Sequence, residues 1–222
     1  MEGWRTALKD IEYSNETDVY EFGVFTGNSV NWINDALRNA GKTPRKVFAL
    51  DSFCGLPKEI EIEKQESLQR GVDYQWSQGD FDSTKHFGVK TVKEAMESMR
   101  EFTKDSFNKE TELKIIPGFY SELTDDMVEL YDMKPACYID LDADMYLSTI
   151  QALDFMFRNN LVVEGTIIGY DDWGGTLGWQ TMSDGVSKAH KEIIDKYGVT
   201  FRLISIIGGA YPHVHTIFKV LS

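Results

Sequence analysis

The chain has 222 residues, of which 42% are hydrophobic, so it can bury one core but is too short for two compact domains of ordinary size. Its 36 acidic and 23 basic residues give a formal net charge of -13, which repels polyanions and argues against nucleic-acid or membrane partners. Two cysteines and the lack of any apolar run that could cross a bilayer predict a single cytoplasmic domain over residues 1–222.

Short apolar runs alternate with segments of helical period, which indicates a parallel sheet connected by crossover helices. Residues 18–25 predict the first strand, and apolar residues at helical spacing after Gly27 predict a helix that stops at Gly41. The other predicted strands are residues 46–51, 113–117, 136–142, 166–171, 201–207 and 215–220, with further helices over 145–158 and 182–197. The last two strands are close enough in the chain to form an antiparallel hairpin. The sequence therefore predicts an α/β fold with a mostly parallel, seven-stranded sheet.

The segment from residue 55 to about residue 89 does not follow this alternation. It is rich in Glu, Gln, Ser and Asp, but it also carries Trp76, Phe81 and Phe87. A long segment without a regular pattern inside a compact domain is usually functional. We therefore expect a lid-like insertion with short helices, lying over a site, and then a solvated helix face at residues 90–104.

The first predicted strand ends in a glycine-containing turn, and the second ends in Asp51. Ligands of open parallel sheets bind beyond the carboxyl ends of the strands, where an acidic residue at this position commonly accepts hydrogen bonds from ribose hydroxyls. Alone, the turn is equally compatible with a packing role. The G-V-F-T-G turn at residues 23–27 lacks the G-x-G-x-x-G spacing of a dinucleotide site, and Glu21 would repel a pyrophosphate. S-adenosylmethionine, which combines a ribose with cationic groups, fits this pattern better.

Carboxylates follow two successive predicted strands. Asp140, Asp142 and Asp144 lie at the end of one strand, and Asp171 and Asp172 lie at the end of the next. Several carboxylates at one place are unfavourable unless a cation lies among them, and oxygen ligands of this kind suit magnesium, manganese or calcium. The alternative is that these acids cap helices or face solvent. Their position at two neighbouring strand ends favours the metal.

Other residues give weaker signals. His213 and His215 have no zinc-ligand spacing to cysteine and are interpreted as partly exposed hairpin residues. Cys54 is expected to be a small buried hydrophobic side chain. Trp173 and Trp179 can equally line a substrate pocket or pack in the core.

Six motifs, taken in order, resemble the macrocin O-methyltransferase family. They are YEFGVFTGNS (20–29), FALDSFCGLP (48–57), WSQGDF (76–81), IPGFY (116–120), DADMYLST (142–149) and DDW (171–173). Members of that family have the Rossmann-like class I methyltransferase fold. They use S-adenosylmethionine and magnesium to methylate hydroxyls, typically of sugars on natural products. The resemblance therefore implies metal-assisted methyl transfer to a hydroxyl of a small polyhydroxylated acceptor.

The resemblance also implies a role for individual residues. The methionine part of the cofactor would be surrounded by Glu21, Gly23, Thr26, Gly27 and Ser29. The ribose would be held by Asp51 with Ser52 beside it, and the adenine would be bordered by Gly118 and Phe119. The metal ligands would be Asp142, Asp171 and Asp172, and the general base would be Asp144.

The sequence departs from the family pattern at two places. Leu147 replaces a glutamate that the family often has, and residues 161–165 replace its L-x-P-G-G turn, which leaves the division of roles between Asp142 and Asp144 open. The alternatives in function are a metal-dependent hydrolase that uses the same aspartates, a nicotinamide-dependent dehydrogenase and a non-catalytic nucleotide-binding module. A homo-oligomer also stays open, since the N-terminal extension by which some family members assemble is not recognisable here.

Overall fold

A computed structural model of the chain describes residues 8, 11, 16–69, 76–173, 185–208 and 214–222. Its strands are β1 (Asp18–Phe22), β2 (Lys46–Asp51), β3 (Glu112–Pro117), β4 (Ala136–Leu141), β5 (Ile167–Tyr170), β6 (Phe201–Gly208) and β7 (Val214–Val220). They form one sheet in the order β3-β2-β1-β4-β5-β7-β6. Neighbours among β1 to β5 are parallel, whereas β7 is antiparallel to both β5 and β6. The predicted α/β class and the C-terminal antiparallel hairpin are confirmed.

Helices connect the strands and form the insertion. They are α1 (Asn28–Asn39), α2 (Ile60–Gln69), α3 (Ser83–Phe87), α4 (Val92–Thr103), α5 (Met127–Leu130), α6 (Tyr146–Arg158) and α7 (Gly185–Tyr197), with a 3-10 turn at Tyr120–Glu122. The predicted start of the last helix at residue 182 lies outside the described residues. Among the helices that the structure describes, none is long and apolar enough to cross a membrane.

Helix α4 differs from its prediction as a solvated face. A capping box begins it, in which the Thr91 hydroxyl accepts from the Glu94 amide and the Glu94 carboxylate accepts from the Thr91 amide. The helix buries Ala95, Met99 and Thr103. The prediction was therefore wrong for one side of α4, because charged residues at the remaining positions hide its narrow apolar stripe.

The central strands are buried because helices cover both faces of the sheet. On one face, Phe22 of β1 packs in a cluster with Phe155 of α6. On the other face, Val19 of β1 packs with Ile33 and Leu37 of α1. Polar side chains are therefore concentrated where the strands end.

The strands at the site end earlier than predicted. β1 ends at Phe22 because the backbone turns at Gly23 (φ 88) and again at Phe25 (φ 48). β4 and β5 each end one residue before the predicted boundary, so Asp142 and Asp171 lie in the loops that follow. From these loop positions both residues line the cavity beyond the ends of the strands.

Candidate active site

A cavity of about 630 Å³ opens at the carboxyl edge of the sheet. It is lined by most of the residues that the sequence assigned to the site: Gly23, Asp51, Ser52, Gly118, Phe119, Asp142, Asp144, Asp171 and Asp172. The cofactor and metal residues predicted from separate motifs thus share one space.

The insertion forms one wall of this cavity. Trp76 and Phe81 line it, with ring centroids 4.9 Å apart, and Phe81 meets the edge of Phe25 at 5.7 Å. Two parts of the insertion are joined, since the Leu56 amide donates to the Asp80 carbonyl at 2.9 Å. The insertion was predicted to pack its aromatic residues on an apolar surface, and for Phe81 this surface is Phe25 in the turn after β1. The movement of the segment as a lid stays a prediction.

Four predicted cofactor residues build the turn and are not among the residues that line the cavity. Glu21 is fully buried and accepts a hydrogen bond from the Ser29 hydroxyl. Thr26 is also buried, and a Cβ on Gly27 would lie 2.7 Å from a methyl group of Thr103 on α4. These contacts fix the turn in place, and direct contact of the four residues with a cofactor stays a prediction.

Asp51 organises the same turn from β2. Its Oδ2 accepts from the amides of Val24 at 2.7 Å and Phe25 at 2.8 Å, and its Oδ1 accepts from the Phe53 amide at 2.6 Å. Burial raises the pKa of Asp51, and these three amides oppose that shift. A carboxylate has about four acceptor positions, so the three amides leave about one, which the Ser52 side chain also approaches as a hydrogen-bond partner.

Gly118 brings the end of β3 against Asp51. Its amide donates to the Asp51 carbonyl at 2.9 Å, and its φ of 142 is one that side chains rarely adopt. The next residue, Phe119, donates its amide to the Glu122 carboxylate at 2.9 Å. The two predicted adenine-bordering residues therefore lie at a glycine-dependent bend next to the predicted ribose-binding acid.

Three carboxylates converge after β4 and β5. Asp142, Asp171 and Asp172 are half-buried, and each offers one oxygen atom within 4.8 Å of the others. Burial raises the pKa of Asp142 well above its ordinary value, and the negative charge of Asp171 raises it further. Such crowding is favourable when a cation compensates the charge, so these oxygen donors fit a hard dication such as Mg²⁺.

Asp144 lies two residues further along the same loop and lines the cavity. It adopts a left-handed backbone conformation with φ 55, which is uncommon for a residue with a side chain. Burial raises the pKa of Asp144 well above its ordinary value. The negative charge of Asp172 and a hydrogen bond with Asp172 raise it further. A carboxylate with a raised pKa is suited to accept a proton.

Gly23 joins the cofactor side of the cavity to the metal side. A Cβ at this position would lie 1.7 Å from the carbonyl oxygen of Asp142, so only glycine fits the observed contact. The loops are tied further, because the Asp142 amide donates to the Phe22 carbonyl at 2.9 Å.

His215 and Asp140 form a polar contact that the sequence did not indicate. The interpretation of His215 as partly exposed was wrong, because its side chain is 7% exposed and its Nδ1 lies 3.3 Å from Asp171 Oδ1. Asp140 is buried next to it and accepts a hydrogen bond from the Tyr138 hydroxyl at 2.6 Å. The other histidine of the pair, His213, lies outside the described residues.

Glu63 of the insertion was also missed. Its carboxylate accepts from the backbone amides of Tyr146 at 3.0 Å and Leu147 at 2.9 Å, at the start of α6. An acid is favourable at a helix N-terminus because it satisfies free amide groups. A carboxylate from another part of the chain thus satisfies the amides at the start of α6, whose N-cap residue Met145 makes no side-chain cap hydrogen bond.

Cys54 is exposed and lines the cavity, so its prediction as a buried side chain was wrong. The Ser52 hydroxyl holds this turn by accepting from the Cys54 amide at 3.2 Å and donating to the Gly55 carbonyl at 2.8 Å.

Trp173 is 2% exposed and packs in the core. Trp179 lies outside the described residues.

Comparison with known proteins identifies the family of the chain. The sequence matches the Macrocin-O-methyltransferase (TylF) family over residues 1–202. The chain belongs to the macrocin O-methyltransferase family. It is therefore an O-methyltransferase, and its class I fold is one that binds S-adenosylmethionine. This confirms the family resemblance seen in the motifs.

Individual proteins are also similar to this chain. The 8-demethyl-8-(2,3-dimethoxy-alpha-L-rhamnosyl)-tetracenomycin-C 4'-O-methyltransferase of Streptomyces olivaceus is 25% identical, with 88% of this chain and 72% of the relative covered. The structure of the O-methyltransferase NovP is similar with a TM-score of 0.62 and 18% identity, covering 100% of this chain and 79% of that one. The calicheamicin methyltransferase CalS11 has a TM-score of 0.63 and 15% identity, covering 98% and 76% respectively.

Proposed function

We propose that this O-methyltransferase methylates a hydroxyl of a small polyhydroxylated acceptor, such as a sugar or a glycosylated natural product, with the assistance of Mg²⁺. The observation that carries the proposal is the convergence of Asp142, Asp171 and Asp172 within 4.8 Å in the cavity that Asp51 also lines. The rhamnosyl acceptor in the name of the Streptomyces relative supports a sugar hydroxyl as the target.

On the metal side, Asp142, Asp171 and Asp172 would hold the ion. A bound Mg²⁺ would supply a Lewis acid that lowers the pKa of an acceptor hydroxyl and orients it. Asp144 lies next to this set in the same cavity. It would accept the hydroxyl proton as the new oxygen–carbon bond forms.

On the cofactor side, Asp51 would accept a hydrogen bond from a ribose hydroxyl with its remaining acceptor position. Ser52 would lie beside the ribose, while Gly118 and Phe119 would border the adenine. S-adenosylmethionine would supply the methyl group, whose bond to sulfur breaks and leaves S-adenosylhomocysteine. Held near attack distance, two substrates gain roughly 7 to 11 kcal/mol in favourable cases, so alignment by these residues would supply much of the rate.

A cytoplasmic location and a small-molecule acceptor belong to the same proposal. The net charge of -13 disfavours a nucleic-acid substrate. The two cysteines, Cys54 and Cys137, are both free, as in a reducing compartment.

The proposal is tested first by calorimetric titration with S-adenosylhomocysteine, with and without Mg²⁺. Methyl transfer to a rhamnosylated acceptor is then measured in EDTA and after Mg²⁺ is restored. Activity is expected to vanish in EDTA and return with the metal. Asp171→Asn should need much more Mg²⁺, because a neutral oxygen binds a hard dication less tightly, whereas Asp126→Asn, the same change at an exposed position, should behave as wild type.

Two results would contradict the proposal separately. A chain that does not bind S-adenosylhomocysteine would not be a methyltransferase of this kind. Full activity in excess EDTA would show that the reaction needs no metal and would leave the aspartates with a structural role. Hydrolysis of a substrate without any cofactor would favour the metal-dependent hydrolase.

A further inference from the structure

His215 is placed beside the metal-binding carboxylates by the pairing of the last strands. It lies near the start of β7, opposite Ile207 of β6. The next residue, Thr216, pairs with Tyr170, the last residue of β5. Because Asp171 follows directly after β5, the antiparallel register brings the histidine to the loop that carries two of the three carboxylates.

The contacts of His215 connect a buried acid to one of those carboxylates. Its Nδ1 lies 3.3 Å from Asp171 Oδ1, and its Nε2 lies 3.9 Å from Asp140 Oδ1. An ionised carboxylate can only accept, so this contact is a hydrogen bond in the tautomer that carries its proton on Nδ1. On the far side, the Tyr138 hydroxyl donates to Asp140 Oδ1 at 2.6 Å. Tyr138, Asp140 and His215 therefore line up as a polar chain toward Asp171, in which the 3.9 Å step between Asp140 and His215 is an ion-pair distance and longer than a hydrogen bond.

The sheet leaves room for this chain at Gly169 of β5. A Cβ there would lie 2.5 Å from the Tyr138 hydroxyl oxygen, 2.9 Å from His215 Nε2 and 3.1 Å from Asp140 Oδ1. Any residue larger than glycine would displace one of the three groups. The space beside Gly169 is thus filled by the polar chain and has no room for a side chain at position 169.

Packing alone gives no reason for this arrangement. The Asp140 side chain is 1% exposed, and a buried carboxylate is costly unless it is compensated. Apolar side chains of similar volume would often be as stable or more so. Side chains that hydrogen-bond a metal ligand orient it, and their loss typically lowers metal affinity by about 10- to 100-fold.

We infer that His215, which lies beside the buried Asp140, is a positioning residue that orients the Asp171 carboxylate for binding a divalent cation. This inference rests on the proposed function, because it concerns the same metal site. It assigns His215 no contact with the acceptor or with the cofactor.

The test measures the affinity of the full-length chain for Mn²⁺, from the electron paramagnetic resonance signal of the unbound ion. His215→Leu removes the donor and is expected to weaken Mn²⁺ binding by about 10- to 100-fold. In His215→Asn the amide nitrogen can replace Nδ1, so affinity should stay within about threefold of wild type. His190→Leu is the matched control, because His190 is equally buried but bonds Tyr170 at 2.8 Å. It should also stay within about threefold.

His215→Gln serves if the leucine variant does not fold, since its amide replaces Nε2 and should also lose affinity. Thermal unfolding of all variants identifies losses that follow from stability alone. Wild-type affinity in the folded leucine or glutamine variant would overturn the inference. An equal loss in His215→Asn or in His190→Leu would overturn it as well, because the effect would then be structural. A wild-type chain that binds no Mn²⁺ would instead refute the proposed metal site itself.

Discussion

Replacement of Asp51 by asparagine is expected to weaken cofactor binding and to destabilise the turn after β1. The carboxylate accepts from the amides of Val24, Phe25 and Phe53 at distances of 2.7, 2.8 and 2.6 Å. Asparagine keeps one carbonyl oxygen, which can still serve Val24 and Phe25. The Phe53 amide then faces an NH₂ group and loses its acceptor.

The size of each effect follows from these contacts. A buried donor without a partner costs about 1–3 kcal/mol, so the free energy of unfolding should fall by about that amount. In the proposed complex, a ribose hydroxyl would donate one hydrogen bond to the remaining acceptor position of the charged carboxylate, worth about 1.5–3 kcal/mol. At about 1.4 kcal/mol per tenfold change, S-adenosylhomocysteine should bind roughly 10- to 100-fold more weakly.

Urea unfolding and calorimetry measure the two quantities separately. Asp18→Asn is the matched control, because Asp18 is a buried acid at the opposite end of β1. It accepts from the Arg45 guanidinium at 2.7 Å and from the Lys134 amide at 2.9 Å. This variant should lose stability but bind S-adenosylhomocysteine like wild type.

The ribose assignment would be refuted by one combination of results. If Asp51→Asn loses stability as expected but retains wild-type affinity for S-adenosylhomocysteine, the carboxylate only organises the turn. If Asp18→Asn loses as much affinity as Asp51→Asn, the binding effect reflects general destabilisation.

Three further predictions concern the base, a buried histidine and the insertion. If Asp144 is the base, Asp144→Asn should lower the single-turnover rate of methyl transfer by about 100-fold or more. Asp142→Asn should first weaken Mg²⁺ binding. The reverse pattern would mean that Asp142 is the base and Asp144 the metal ligand. Burial lowers the pKa of His190 from 6.5 to about 3. Between these values the folded chain binds fewer protons than the unfolded chain. The free energy of unfolding therefore falls as the pH drops below 6.5. The loss at pH 5.5 is about 1.4 kcal/mol, and urea unfolding of His190→Leu should lack this contribution; an identical pH dependence would contradict it. Trypsin cleavage between Lys58 and Lys85 should slow when S-adenosylhomocysteine and Mg²⁺ are added, and equal rates would mean that the insertion is not a lid.

The strands could be predicted because a parallel strand buried on both faces has an almost continuous apolar sequence. The predicted residues 46–51 agree with β2, and the carboxyl ends of β4 and β5 were placed within one residue. The end of β1 was misplaced because the apolar residues Val24 and Phe25 extended the predicted strand through Gly23, where the backbone already turns with φ 88. Motifs that sit at strand ends located the cavity, since the topology of a parallel sheet brings those ends together.

The contacts that were missed depend on residues far apart in the chain. Glu63 and Tyr146 are separated by 83 positions, and His215 and Asp171 by 44. No local pattern connects such pairs, because their proximity depends on how the insertion folds back and on the register of β7. Asp140 was noticed as part of an acidic run, but its burial between Tyr138 and His215 could only come from the three-dimensional structure.

The contact at Gly23 has a consequence for the precision of the reaction. Because a Cβ would lie 1.7 Å from the Asp142 carbonyl oxygen, the main chains of the two loops touch without any side chain between them. In the proposed reaction, the span from methyl donor to acceptor would therefore be set by bond lengths and van der Waals radii, which vary less than rotamers do. Displacement reactions lose rate steeply with misalignment of about 1 Å. A single methyl group at position 23 would act as a wedge, widening the gap across which the methyl group must pass.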